Sequence, residues 1–124
     1  MNLTKNLFAT FALFLTCASL AQAHAFLEHA DPKVGSSVTA SPATVKIWFT
    51  MAPVKATSNI RVFDAHGTEV DRQDLTVDPH NDLLLSVTVP KLPPGAYKVS
   101  WNAVCIYGHH TSGTYTFSVQ PPPP

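Results

Sequence analysis

Short runs of alternating apolar and polar residues recur along most of this chain. In residues 44–50 (TVKIWFT), Val45, Ile47 and Phe49 fall on one face and Lys46 on the other. Residues 59–63 (NIRVF) repeat the pattern around Arg61, and Asp64-Ala65-His66-Gly67 supplies a hairpin-like turn before Thr68-Glu69-Val70. Residues 83–89 (LLLSVTV) read as a strongly apolar strand behind the turn-rich Asp78-Pro79-His80-Asn81-Asp82. Pro93-Pro94-Gly95 leads into 97–105 (YKVSWNAVC), and 114–119 (TYTFSV) closes the series. Period two at this spacing, rich in Val, Thr and aromatics, predicts an all-β fold. The expected architecture is an Ig-like, Greek-key antiparallel β-sandwich of about seven strands. No helical i, i+3, i+4 stripe of useful length is present, and the 11 prolines, each lacking a backbone donor, argue against an all-helical chain.

The first 23 residues break this pattern. Lys5 lies near the amino terminus, residues 7–20 (LFATFALFLTCASL) are apolar and uncharged, and Ala21-Gln22-Ala23 has the small-x-small form of a cleavage site. These features predict a secretory signal peptide over residues 1–23. The apolar run is too short to cross a ~30 Å hydrocarbon layer comfortably. The expected organisation is therefore signal peptide 1–23, one sandwich domain over 24–119, and a tail over 120–124 whose four prolines favour an extended polyproline conformation. Cleavage after Ala23 frees the α-amine of His24. It also removes Cys17 and leaves Cys105 as the remaining thiol, so no intramolecular disulfide is expected in a compartment that would permit one.

Charge narrows the function. Eight Lys and Arg balance eight Asp and Glu, a formal net charge of zero. Without a basic face to release counterions from phosphates, nucleic acid is excluded as the main partner. Only 13% of residues are charged while apolar residues are plentiful, which speaks against a disordered chain. A Ser-His-Asp order, a Gly-rich phosphate loop and a spaced acid pair in a catalytic setting are all missing, so the chain does not read as an enzyme.

The six histidines all follow residue 23. His66 and His80 sit in polar turns and read as exposed turn residues. His29 stands five residues beyond His24, and an extended pair at that spacing faces opposite sides. His109 and His110 follow Gly108 in a loop between the last two strands, where sites are commonly placed. Adjacent strand residues point apart, so one of the two is expected to be a ligand rather than both. His24 is the sharpest candidate. After cleavage its α-amine, with a reference pKa of ~7.7–8.0, and its Nδ1 would close a six-membered chelate ring. Two nitrogens from one residue plus an imidazole from another suit a tetragonal Cu(II) site.

Residues 24–32 (HAFLEHADP), 45–50 (VKIWFT) and 92–101 (LPPGAYKVSW) resemble CopC-type periplasmic copper-resistance proteins. The likeness continues through Gly108-His109 to Gly113-Thr114-Tyr115-Thr116-Phe117. It implies a small Greek-key sandwich that carries copper in the periplasm, with copper as Cu(II) its bound ion. It also implies delivery to an inner-membrane copper transporter or another periplasmic copper protein. In that family the amino-terminal histidine binds through amine and imidazole, together with an Asp-x-His motif in the last loop. By resemblance His24 and His109 take two of those positions, with Tyr107, His110 and His29 as secondary candidates.

The family's Asp position falls on Tyr107. A carboxylate brings negative charge and a hard oxygen, and neutral tyrosine, with a reference pKa of ~10, brings neither cheaply. The site is then expected to be weaker, to recruit His110 or a water, or to have lost copper. The family's Cu(I)-binding branch uses a methionine-rich loop, and beyond residue 23 this chain has only Met51, so a thioether Cu(I) site is not expected. Cys105 would be a soft Cu(I) ligand, but in phase with Trp101 and Ala103 it reads as a small buried strand residue. Two rival functions remain. One is a histidine-brace copper oxidase, to which Tyr107-x-His109 lends an axial tyrosine and which the small surface of the chain disfavours. The other is a metal-free structural or partner-binding sandwich that has lost the site.

Overall fold

The computed structural model describes residues 24–124, so the predicted signal peptide lies outside the described residues. Eight strands form there: β1 (Leu27–Asp31), β2 (Ser37–Val38), β3 (Thr44–Phe49), β4 (Asn59–Phe63), β5 (Thr76–Asp78), β6 (Asn81–Thr88), β7 (Gly95–Val104) and β8 (His110–Val119). They make two four-stranded sheets, β1-β3-β6-β5 and β2-β8-β7-β4. The chain is thus the expected all-β sandwich. No helix of the described residues is long and apolar enough to cross a membrane.

The alternation seen in the sequence sets the core. Val45, Ile47 and Phe49 of β3 are fully buried and, with Leu85 and Val87 beside them on β6, share one cluster with Val62 of β4, Val99 and Trp101 of β7, and Phe117 of β8 in the other sheet. Side chains alternate across a strand, so β3, β4, β7 and β8 turn one face to this cluster, while β6 also buries Leu84 on its other face opposite Trp48. The rings of Phe49 and Trp101 meet edge to face at 5.5 Å, and Tyr97 stacks on Phe117 at 5.5 Å. Both are favoured aromatic geometries. The Tyr97 hydroxyl donates to the carbonyl of Pro93.

Several details differ from the expected pattern. β1, β2 and β5 add edge strands that the periodicity did not mark, and β2 runs parallel to β8 with Ser37 opposite Ser118. Residues 68–70 do not form a strand; Phe63 and Glu69 share one isolated bridge. Asp64 Oδ1 instead accepts the N–H groups of His66 and Thr68, which draws the chain into an Asx turn. The following segment lies along the outer edge of β4. There Val70 N–H donates to Val62 O, and Asp71 Oδ1 accepts the Val62 N–H at 2.7 Å. Arg61 adds a two-pronged contact to Glu69 at 3.0 and 3.3 Å. β8 begins at His110, four residues ahead of the expected start.

Candidate metal centre

The longest ladder of the fold positions the site. β7 and β8 pair residue by residue from Gly95 opposite Val119 to Val104 opposite His110. Their connection is a tight turn. Gly108 adopts φ +78°, a left-handed conformation that glycine enters without steric cost, and its N–H donates to Cys105 O at 2.9 Å. Cys105 N–H donates to His109 O at 3.1 Å, and Cys105 also bridges to Pro53. These bonds hold His109 at the base of the turn, beside His24.

Residues 24–26 run along the same end of the sandwich. Thr50, just beyond β3, donates its N–H to Phe26 O at 2.8 Å. Its hydroxyl accepts the Phe26 N–H at 2.9 Å and donates to His24 O at 3.2 Å. From the other sheet, the Thr111 hydroxyl of β8 donates to Ala25 O. Ala25 is fully buried between these contacts. The result is that the His24 imidazole stacks on that of His109, with centroids 4.6 Å apart and planes 24° apart, and also approaches Phe26 at 5.9 Å.

Of the residues singled out by sequence, His24 and His109 are therefore brought together. His110 is exposed at the first position of β8. Positions 109 and 111 both reach residues 24–25, so by strand alternation His110 faces the other way. His29 goes elsewhere: its ring lies on Trp48 at 4.3 Å, and its Nδ1 stands 3.7 Å from Glu28. Tyr107 sits in the turn beside Ile106, 68% and 73% exposed respectively. Cys105 is a buried thiol, as its strand phase implied. His66 and His80 are exposed turn residues, each with its N–H donated to the Asp two positions earlier. Among the described residues no group of three or more His, Cys, Asp and Glu side chains could hold a metal. The imidazoles that the fold brings together at this end are those of His24 and His109. Sequence reasoning missed Thr50 and Thr111, because threonine is ordinary in and around strands and nothing in its spacing points to the amino-terminal segment.

The sequence matches the model of the CopC domain family over residues 27–120. The chain belongs to the CopC family. The match begins at Leu27, so His24 stands just ahead of it and His109 lies within it. The domain is 32% identical over 110 residues to the copper transport protein CutJ of Bacillus subtilis, covering 88% of this chain and 20% of CutJ. The chain therefore spans about a fifth of the length of that relative. It is 35% identical over 108 residues to Protein YobA of Escherichia coli K12, covering 79% of this chain and 80% of YobA. Among solved structures it resembles CopC from Methylosinus trichosporium OB3b. There the identity is 32% and the TM-score 0.74, over 79% of this chain and 95% of that one.

Proposed function

We propose that this CopC-family chain is a periplasmic Cu(II) carrier, not an enzyme, and that His24 and His109 hold the ion. The observation that carries the reading is the stacking of these two imidazoles at 4.6 Å, on a domain whose family and relatives are tied to copper. Cu(II) stands at the top of the divalent affinity order and accepts imidazole and amine nitrogen readily. Cleavage after Ala23 would present the His24 amine beside its own ring, giving three nitrogens from two residues. Tyr107 supplies no carboxylate at the position where the family carries Asp, so nitrogen donors would dominate the site. The carrier reading is favoured over a histidine-brace oxidase because Tyr107 is exposed in the turn and takes no part in the ring contacts of His24. An inner-membrane copper transporter or another periplasmic copper protein would be the recipient.

The test compares two forms of the protein, one beginning at His24 and one with a single extra residue ahead of it. Competition titration with Cu(II) and electron paramagnetic resonance should show tighter binding by the first form, by about tenfold or more, equivalent to ~1.4 kcal/mol. Equal affinities and identical spectra would remove the amine from the site.

A further inference from the structure

Two hydroxyl groups bond the backbone that carries one of the two imidazoles. The Thr50 side chain uses both of its hydrogen-bonding roles on the entry segment, accepting from Phe26 N–H and donating to His24 O. Thr111 donates to Ala25 O from the opposite sheet. These contacts alternate along three consecutive residues: first sheet at His24, second sheet at Ala25, first sheet again at Phe26. A segment held by one sheet alone could still pivot about that edge. Held from both, its backbone is fixed in direction, which places the His24 side chain beside His109.

We infer that Thr50 and Thr111 are positioning residues, a two-sided clamp that sets the His24 imidazole on His109 before any ion arrives. Its consequence for binding rests on the copper reading given above. Ordering the entry segment in advance removes from the binding step the entropy of freezing it, which is how preorganisation raises affinity. Each net hydrogen bond contributes modestly, so loss of one hydroxyl should weaken Cu(II) binding roughly two- to tenfold. Losing both should multiply the two effects to the extent that they act independently.

The experiment uses Thr50→Val and Thr111→Val, which keep the branched shape and strand preference, and Thr50→Ser and Thr111→Ser, which keep the hydroxyl. Nuclear magnetic resonance of the metal-free protein reads the clamp directly, through cross-relaxation between ring protons of His24 and His109. The signal should be present in the parent and the Ser variants and weakened or lost in the Val variants. With Cu(II) as probe, the Val variants should show the stated loss of affinity and a broadened resonance spectrum, with Ser restoring both. Thermal melts of all forms separate these effects from a general loss of folding. Val variants with parental ring contacts, or with parental affinity and spectrum, would overturn the inference. A parent that takes up no Cu(II) would instead defeat the copper reading, and the metal-free arm would still decide whether the clamp exists.

Discussion

Replacing Gly113 by Ala tests whether the register of the β7–β8 ladder is what the side-chain packing requires. Gly113 lies opposite Trp101, and a Cβ at that position would stand 2.8 Å from Cζ2, 2.9 Å from Cε2 and 3.0 Å from Nε1 of the indole. A rigid ring cannot yield as the tip of a long side chain does. Trp101 is 7% exposed and is backed edge-on by the fully buried Phe49, so the ring has little room to retreat. Overpacking of this kind costs about 1–3 kcal/mol. In a domain of this size that is a fall in Tm of roughly 5–20 °C. Thermal melts followed by circular dichroism measure the cost, and tryptophan emission in a Trp48→Phe background isolates Trp101. Trp101→Phe shrinks the ring, so the Gly113→Ala and Trp101→Phe losses should combine to less than their sum, with a coupling above ~0.5 kcal/mol. A Gly113→Ala protein that melts within about 2 °C of its parent with unchanged emission would refute the reasoning, as would a strictly additive pair.

His109→Ala should lose Cu(II) affinity by orders of magnitude and His110→Ala by far less; a reversed order, read by competition titration, would show that the turn presents the other imidazole. Tyr107→Asp should tighten Cu(II) binding by adding an anionic oxygen, and the resonance spectrum should shift toward mixed nitrogen and oxygen ligation. A visible charge-transfer band on adding Cu(II), lost in Tyr107→Phe, would show tyrosinate ligation instead. Asp71→Asn should flatten one part of the dependence of stability on pH. Burial holds the Asp71 carboxyl above its ordinary range, helped by the hydrogen bond with Glu69. A raised carboxyl pKa contributes stability that is complete below the unfolded value and is lost as pH rises through the folded value. The opposite sign holds for Glu69, lowered by its hydrogen bond with Arg61, and for Asp74, lowered by Thr88, whose contributions are lost as pH falls. Denaturant melts across acid to neutral pH should therefore show Asp71→Asn gaining on its parent toward neutral pH; a constant difference between the two would contradict this.

The long strands were readable because their period-two pattern is strong: Val45, Ile47 and Phe49 alternate with polar neighbours and all three are fully buried. The edge strands were not. In β1 (LEHAD) only Ala30 is buried, and β2 and β5 span two and three residues. Their strand state comes from a neighbour's backbone donors and acceptors, which leave no trace in their own hydrophobic pattern. Residues 68–70 do return beside β4 after the hairpin-like turn, through Asp64 N–H to Thr68 O and Val70 N–H to Val62 O, but Asp64 Oδ1 takes the Thr68 N–H and Asp71 Oδ1 the Val62 N–H, so the pairing shrinks to one bridge. For the site, resemblance supplied His24 and His109 as a pair, and the fold brings their rings into contact. The separate fates of His110, turned away by strand alternation, and of His29, laid on Trp48, depend on register and pairing. Neither is encoded in local spacing.

The covered edge of β4 bears on how copies of this chain behave together. With a formal net charge of zero and a pI near 7.0, repulsion does little to keep neighbouring molecules apart. Exposed strand edges are templates for pairing between molecules, so their geometry must supply the protection that charge does not. At β4 the Asp71 carboxylate occupies the Val62 N–H and Val70 occupies the carbonyl beside it, leaving no free rung for an incoming strand at that residue. The opposite margin of the same sheet ends in the two-residue β2. The sheet that carries Thr111 is thus blunted at Val62 on one margin and reduced to a two-residue strand beside Ser118 and Val119 on the other, two features that oppose the extension of its ladders from one molecule into the next.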